Sequence, residues 1–279
     1  MILPETIRTE LKQGILTVFL NRPGMLNAYN SQMKNELVDI YQKADKDDEV
    51  RVVIVTGMGK AFCAGKDLHE GSSTFATDDD LDSYRLSGGE LSMVVYLLKK
   101  PIIAAINGPA VGIGLTMTLP MDIRVVKRNT KIGFNFAKLG LGPEAASGWF
   151  LPQIVGIGKA LEWVYTGRFI PTSEALQHGL VNYEEDDPLE KAYEIARDIV
   201  TNTAATSNSF SRQLLWKMLG EHHPYTSHLI ESKYFYWAGN SEDAKEGVQS
   251  FLDKRPVKFP LKGSDLPDFF NVEKEEKNK

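Results

Sequence analysis

Two glycine-rich turns hold the residues of this sequence best placed to do chemistry. Ile102-Ile103-Ala104-Ala105-Ile106 is a short apolar run, and Asn107-Gly108-Pro109-Ala110-Val111-Gly112-Ile113-Gly114 follows it directly. A buried strand that feeds such a turn and then a helix lets a ligand approach the main chain. The first N–H groups of that helix point at negative charge. A second break of the same kind, Ala61-Phe62-Cys63-Ala64-Gly65-Lys66-Asp67-Leu68, comes just after the β-branched run Val50 to Thr56. If both junctions open on one cleft, an N–H group from each can hold a developing oxyanion; spacing alone leaves their convergence open. A dinucleotide fingerprint is a poorer reading of the first turn. Met117 stands where its third glycine belongs, and no acid follows about 20 residues on in a matching strand.

Other reactive side chains have duller readings. Cys63, with His69 close by, invites a nucleophile, yet a lone cysteine in an apolar setting is more often an inert packed thiol. His222, His223 and His228 match no common ligand spacing, so no metal site is expected. Ser147 lacks the flanking glycine of a nucleophile elbow and reads as a capping or packing residue. Trp149, Phe150, Trp163, Tyr165, Trp216 and the run Tyr234 to Trp237 read as core or subunit-interface aromatics. Lys99, Lys100, Lys254 and Arg255 read as solvated helix ends rather than as phosphate contacts.

The elements that must carry these turns alternate. Ile15 to Leu20 predicts a strand ending at the turn cluster Asn21-Arg22-Pro23-Gly24. Ser31 stands as an N-cap before Met33, Leu37, Ile40, Tyr41 and Ala44, which recur at helical spacing. Val50 to Thr56 and Ile102 to Ile106 predict buried strands, and Ile123 to Val126 another. Between them, Glu70 to Asp82 reads as a mobile loop, and Leu86 to Leu98 and Gly112 to Leu119 as helices. Beyond Pro143 the pattern turns mainly helical, with helices over Thr172 to Gly179, Leu189 to Val200 and Glu242 to Asp253. Ser241 caps the last of these, whose early acids and final Lys254-Arg255 suit the helix dipole. The predicted division is an α/β core over residues 1–200, then a helical C-terminal extension over 201–279 with a charged, frayed tail from Asn271.

Composition bounds the function. With 42% hydrophobic and 25% charged residues the 279-residue chain is ordinary globular material, neither disordered nor fibrous. Its 32 basic against 37 acidic residues give a net charge of −5, without a broad basic footprint for nucleic acid or an anionic membrane. One cysteine excludes an intrachain disulfide framework and fits a reducing compartment. The N-terminal residues do not read as a signal peptide, and no apolar run approaches the roughly 20 residues of a membrane span. A cytoplasmic protein is expected. A peroxisomal one is the alternative, although Lys277-Asn278-Lys279 is not a Ser-Lys-Leu address.

The two turns, together with Asp122 and Leu139-Gly140-Leu141-Gly142-Pro143-Glu144, resemble the crotonase (enoyl-CoA hydratase/isomerase) superfamily in order and spacing, over roughly residues 5 to 255. Ala160-Leu161-Glu162, Thr166-Gly167-Arg168 and Ala175 to Val181 agree with it. The resemblance implies a crotonase fold of repeated ββα units, an acyl-CoA substrate, and a homotrimer or a hexamer built as a dimer of trimers. No metal or redox cofactor is implied, since coenzyme A arrives as part of the substrate. Carried onto this sequence, the oxyanion-hole N–H groups fall on Lys66 and Ile113, with Ala64, Gly65, Asp67, Leu68, Gly112 and Phe136 around the substrate. Lys66 replaces a residue that is usually small. Its side chain either reaches a coenzyme A phosphate or, the favoured reading, lies in solvent.

The acids decide which reaction the resemblance implies. Hydratases of this kind carry one glutamate in the helix after the glycine turn and another some twenty residues later; those positions are Thr116 and Phe136 here. Glu144 remains, and it aligns with the single glutamate of the peroxisomal-type Δ3,Δ2-enoyl-CoA isomerases. Phe134, Phe136 and Phe150 could wall it off, and desolvation would raise its pKa toward the working pH. Taken without the resemblance, the same residue is an ordinary acid in the first turn of a helix. Isomerisation of a 3-enoyl-CoA by a one-glutamate proton shuttle is the leading expectation. The alternatives are another enolate reaction (hydration, decarboxylation, dehalogenation or a diene shift) or a non-catalytic acyl-CoA scaffold.

Overall fold

The computed structural model describes residues 5–270. Its sheet forms where the β-branched residues concentrate. Strands β1 (Ile7–Lys12) and β2 (Ile15–Leu20) make a hairpin across Gln13 and Gly14, whose φ values of 50° and 79° give the primed turn that suits strand twist. Then β3 (Val52–Gly57), β4 (Ile102–Ile106), β6 (Ile123–Lys127) and β8 (Tyr183–Glu185) add in parallel, in the order β1-β2-β3-β4-β6-β8. Every residue of β3 and β4 is buried, as a parallel strand covered on both faces requires. Two shorter strands, β5 (Ala110–Val111) and β7 (Ile132–Gly133), pair in parallel beside the first glycine turn.

Alternate residues of the strands serve two cores. Val53, Val55, Ala104 and Ile106 face α1 (Ser31–Lys46) through Met33, Leu37 and Tyr41. Val52, Ile54, Ile103 and Ala105 face α7 (Pro188–Asn202) through Ala192 and Ala196. Between α1 and α7 in the chain come α2 (Ser87–Leu97), α3 (Ile113–Thr116), α4 (Ser147–Val155), α5 (Ile157–Thr166) and α6 (Thr172–Gln177), whose buried apolar residues join the core on the α1 side. The chain finishes in α8 (Ala205–Met218), α9 (Pro224–Gly239) and α10 (Glu242–Asp253), which gather around Phe210, Leu214, Ile230 and Tyr234. No helix among the described residues is long and apolar enough to cross a membrane. The tail from Asn271 lies outside the described residues.

Several details differ from the sequence reading. Asn30, not Ser31, caps α1, its Oδ1 accepting the Met33 N–H at 2.9 Å. The helix after the glycine turn stops at Thr116 instead of Leu119, because the N–H groups of Thr118, Leu119 and Met121 bond three residues back, to the carbonyls of Leu115, Thr116 and Thr118, in a run of tighter turns. Lys100 is no solvated helix end. It is 4% exposed, and its Nζ donates to the carbonyls of Asp47 and Val50 at 2.9 and 2.8 Å.

One polar knot joins the helical end of the chain to the sheet. The guanidinium of Arg212, on α8, donates from Nε to Asp122 Oδ2 at 2.9 Å and from Nη1 and Nη2 to the carbonyls of Val95, Tyr96, Leu98 and Pro120. Asp122 also accepts the Ile102 N–H at 2.8 Å and the Trp216 indole N–H at 2.8 Å.

Candidate active site

The two glycine turns lie side by side, stitched by main-chain bonds. Val111 N–H donates to the Cys63 carbonyl at 3.1 Å, and Cys63 N–H to the Pro109 carbonyl at 3.1 Å. Tyr29 brackets Lys66 from the other side. It donates to the Gly65 carbonyl at 2.8 Å and accepts the Asp67 N–H at 2.9 Å. Gly65 has φ of +113°, and a Cβ there would come within 3.1 Å of the Val111 carbonyl oxygen. Gly112, at φ +55° and ψ −125°, turns the chain so that α3 starts with the Ile113 N–H leading. Among the described residues neither the Lys66 nor the Ile113 N–H has an acceptor. A cavity of about 420 Å³ is lined by both residues, and also by Ala64, Gly65, Leu68, Gly112, Phe136 and Glu144.

Glu144 reaches this cavity at an unusual bend. Ala145 and Ala146 follow it with φ of 55° each, two left-handed alanines in succession before α4 begins. A non-glycine residue pays about 1–2 kcal/mol for that conformation, so the surrounding fold must hold the bend. The Glu144 carboxyl accepts a hydrogen bond from the Thr116 hydroxyl, Oγ1 to Oε1 2.5 Å. Burial pushes its pKa up from 4.5 to about 7, with the Thr116 hydrogen bond pulling the other way. Of the three phenylalanines expected to wall it off, only Phe136 lines the cavity; Phe134 and Phe150 are core residues. Phe75, Leu86, Leu139 and Leu141 supply the other apolar walls.

Asp67 is placed differently from the rest. It does not line the cavity, and its carboxylate is bound by Arg22 Nη2 at 2.7 Å, which holds it below the ordinary aspartate pKa. That pair secures the loop carrying the Lys66 N–H, because Arg22 also donates to the Ala28 carbonyl next to Tyr29. Lys66 is half-buried. Cys63 is fully buried, and burial drives its thiol to about 12, leaving it protonated at neutral pH. Ser147 Oγ has no hydrogen-bond partner, so it packs without capping α4. No cluster of histidine, cysteine and acid side chains suited to a metal occurs among the described residues.

Sequence reasoning missed Tyr29, Thr74, Ser87, Gly88 and Asn135, which also line the cavity. Nothing in their local spacing marks them, since they are brought in by the segment before α1, the loop before α2 and its first turn, and the segment after β7.

Comparison with known proteins follows the same outline. The family model described as enoyl-CoA hydratase/isomerase matches residues 10–262. An enoyl-CoA hydratase of Alternaria alternata is 39% identical over 250 residues, covering 88% of this chain and 83% of that protein. The 1,2-epoxyphenylacetyl-CoA isomerase of Escherichia coli is 32% identical over 262 residues, covering 91% and 98% respectively. The solved structure of a probable enoyl-CoA hydratase/isomerase from Mycobacterium abscessus matches with a TM-score of 0.85 at 30% identity, over 91% of this chain and 98% of that one.

Proposed function

Because this chain belongs to the enoyl-CoA hydratase/isomerase family, we propose that it shifts the double bond of a 3-enoyl-CoA to give the conjugated 2-trans-enoyl-CoA. The supporting observation is that Glu144 is the one carboxylate among the described residues lining the cavity, which it shares with two residues whose main-chain N–H groups are free. The thioester oxygen accepts hydrogen bonds from the Lys66 and Ile113 N–H groups. Glu144 takes a proton from C2, and the negative charge of the resulting dienolate gathers on that oxygen. The protonated Glu144 then returns the proton at C4. Each N–H donor contributes about 3–4 kcal/mol to lowering the barrier. One carboxylate suffices because removal and return use the same face of the substrate. Thr116 and Phe136, at the positions where paired-glutamate hydratases carry their acids, cannot activate water as a carboxylate does.

Hydration is the second reading, favoured by the names of several relatives, among them the Alternaria protein. A spectrophotometric assay separates the two. With trans-3-hexenoyl-CoA the conjugated thioester absorbance is expected to grow. With crotonyl-CoA that absorbance is expected to persist. Failure to convert the first substrate, or rapid hydration of the second, would overturn isomerisation.

A homotrimer, or a hexamer built as a dimer of trimers, is the assembly expected of this chain. Phe235, Tyr236 and Phe251, on α9 and α10, are 73%, 81% and 82% exposed and support burial against another copy. Light scattering should give three or six times the chain mass; a monomer's mass would rule this assembly out.

A further inference from the structure

Helix α2 begins against the candidate base. A Cβ added to Gly88, its second residue, would lie 2.3 Å from Glu144 Oε2, 2.8 Å from Ile113 Cδ1 and 3.3 Å from Ala145 Cβ. The neighbouring Gly89 would meet nothing within 4 Å. Gly88 does not have the positive φ that calls for glycine, and a glycine inside a helix weakens it relative to alanine. What its missing side chain provides is room for a carboxylate.

Tyr29 links that room to the oxyanion side of the cavity. Its side chain is buried, and its hydroxyl donates to the Ser87 carbonyl at 3.2 Å, immediately before Gly88. Its main chain makes the two bonds that bracket Lys66. One residue therefore joins the start of α2, which faces Glu144, to the loop that presents the Lys66 N–H.

We propose that Gly88 is a positioning residue whose vacant side-chain space seats the Glu144 carboxylate, and that Tyr29 holds this seat in register with the Lys66 N–H. The proposal rests on the isomerase reading for its kinetic consequence. The seat matters because one carboxylate must reach both C2 and C4 of the same substrate, and a small displacement spoils both transfers.

The test compares Gly88→Ala, Gly89→Ala and Tyr29→Phe with wild type. The atoms that an alanine at position 88 would strike first are the ends of the flexible Glu144 and Ile113 side chains, so the disturbance falls on those two side chains rather than on the fold. Gly88→Ala is expected to lower kcat at least tenfold with KM within threefold and an unreduced Tm. Gly89→Ala is expected to stay within twofold in both constants. Tyr29→Phe is expected to lower kcat about threefold or more at similar KM. A Gly88→Ala kcat within twofold of wild type overturns the role of Gly88; an unchanged kcat in Tyr29→Phe overturns that of Tyr29. A crystal structure of Gly88→Ala gives a readout independent of the reaction. A displaced Glu144 carboxylate in a protein inert toward 3-enoyl thioesters upholds the seat and overturns only the isomerisation. An unmoved carboxylate overturns the seat.

Discussion

Glu144→Gln is expected to lower 3-enoyl-CoA isomerisation at least about a hundredfold while making the fold more stable above pH 7. The rate loss follows from removing the group that accepts and returns the proton, a contribution of about 10²–10⁴ in comparable acid–base catalysis. In the wild type, Glu144 must be ionised to act, so kcat/KM should fall as pH drops through about 7. The stability effect runs the other way. The folded pKa of about 7 lies above the ordinary 4.5, so the native state holds a proton that the unfolded chain has released. That contribution is fully present below pH 4.5 and is lost as pH rises through about 7. The gap corresponds to roughly 3 kcal/mol of penalty for keeping the charged carboxylate in the cavity. Glutamine has nearly the same shape without the charge, so at pH 8 it should melt higher than wild type. Activity within tenfold of wild type would remove Glu144 from the mechanism, and a lower Tm at pH 8 would contradict its desolvation.

Arg212→Ala is expected to cost about 3–5 kcal/mol of stability, the range for breaking a buried ion pair from one side. Alanine would leave Asp122 without its cation and would take the guanidinium donor from four carbonyls, those of Val95, Tyr96, Leu98 and Pro120. Since 1 kcal/mol moves the Tm of a chain near this size by about 2–4 °C, a fall of roughly 10 °C should appear in thermal unfolding. Lysine should rescue little of it, because a single ammonium cannot spread its protons as the guanidinium fork does. A Tm within about 2 °C of wild type would mean that the knot adds nothing to the docking of α8.

The legible parts of this fold are those whose signal is local. Strands β2, β3, β4 and β6 announce themselves by β-branched runs, and α10 by a capping Ser241, whose hydroxyl does accept the Ala244 N–H. Strand β1 escapes because only Ile7 is buried along it, so its six residues read as a polar stretch. Helix α9 escapes for the opposite reason. Its aromatics point in several directions, with Tyr234 buried and Tyr236 in the open, so they form no single apolar stripe. At the candidate site the glycine turns could be read directly, but Glu144 stood out only through the family resemblance. Taken alone it is an acid after a proline. The surroundings of Asp67 and Lys100 are not legible in the sequence, because their partners, Arg22 and the carbonyls of Asp47 and Val50, are distant along the chain.

The knot between Asp122 and Arg212 also sets a schedule for biosynthesis. Strand β4 closes its Ile102 N–H on Asp122, whose cation lies 90 residues further along the chain. At about 5–20 residues per second a ribosome needs roughly 5–18 s to span that interval. During it the residues of β2, β3 and β4 are already synthesised, while the carbonyls at the end of α2 still wait for the Arg212 guanidinium. The nascent chain therefore passes through a stage in which the groove for α8 is open, and release before residue 212 would leave it so.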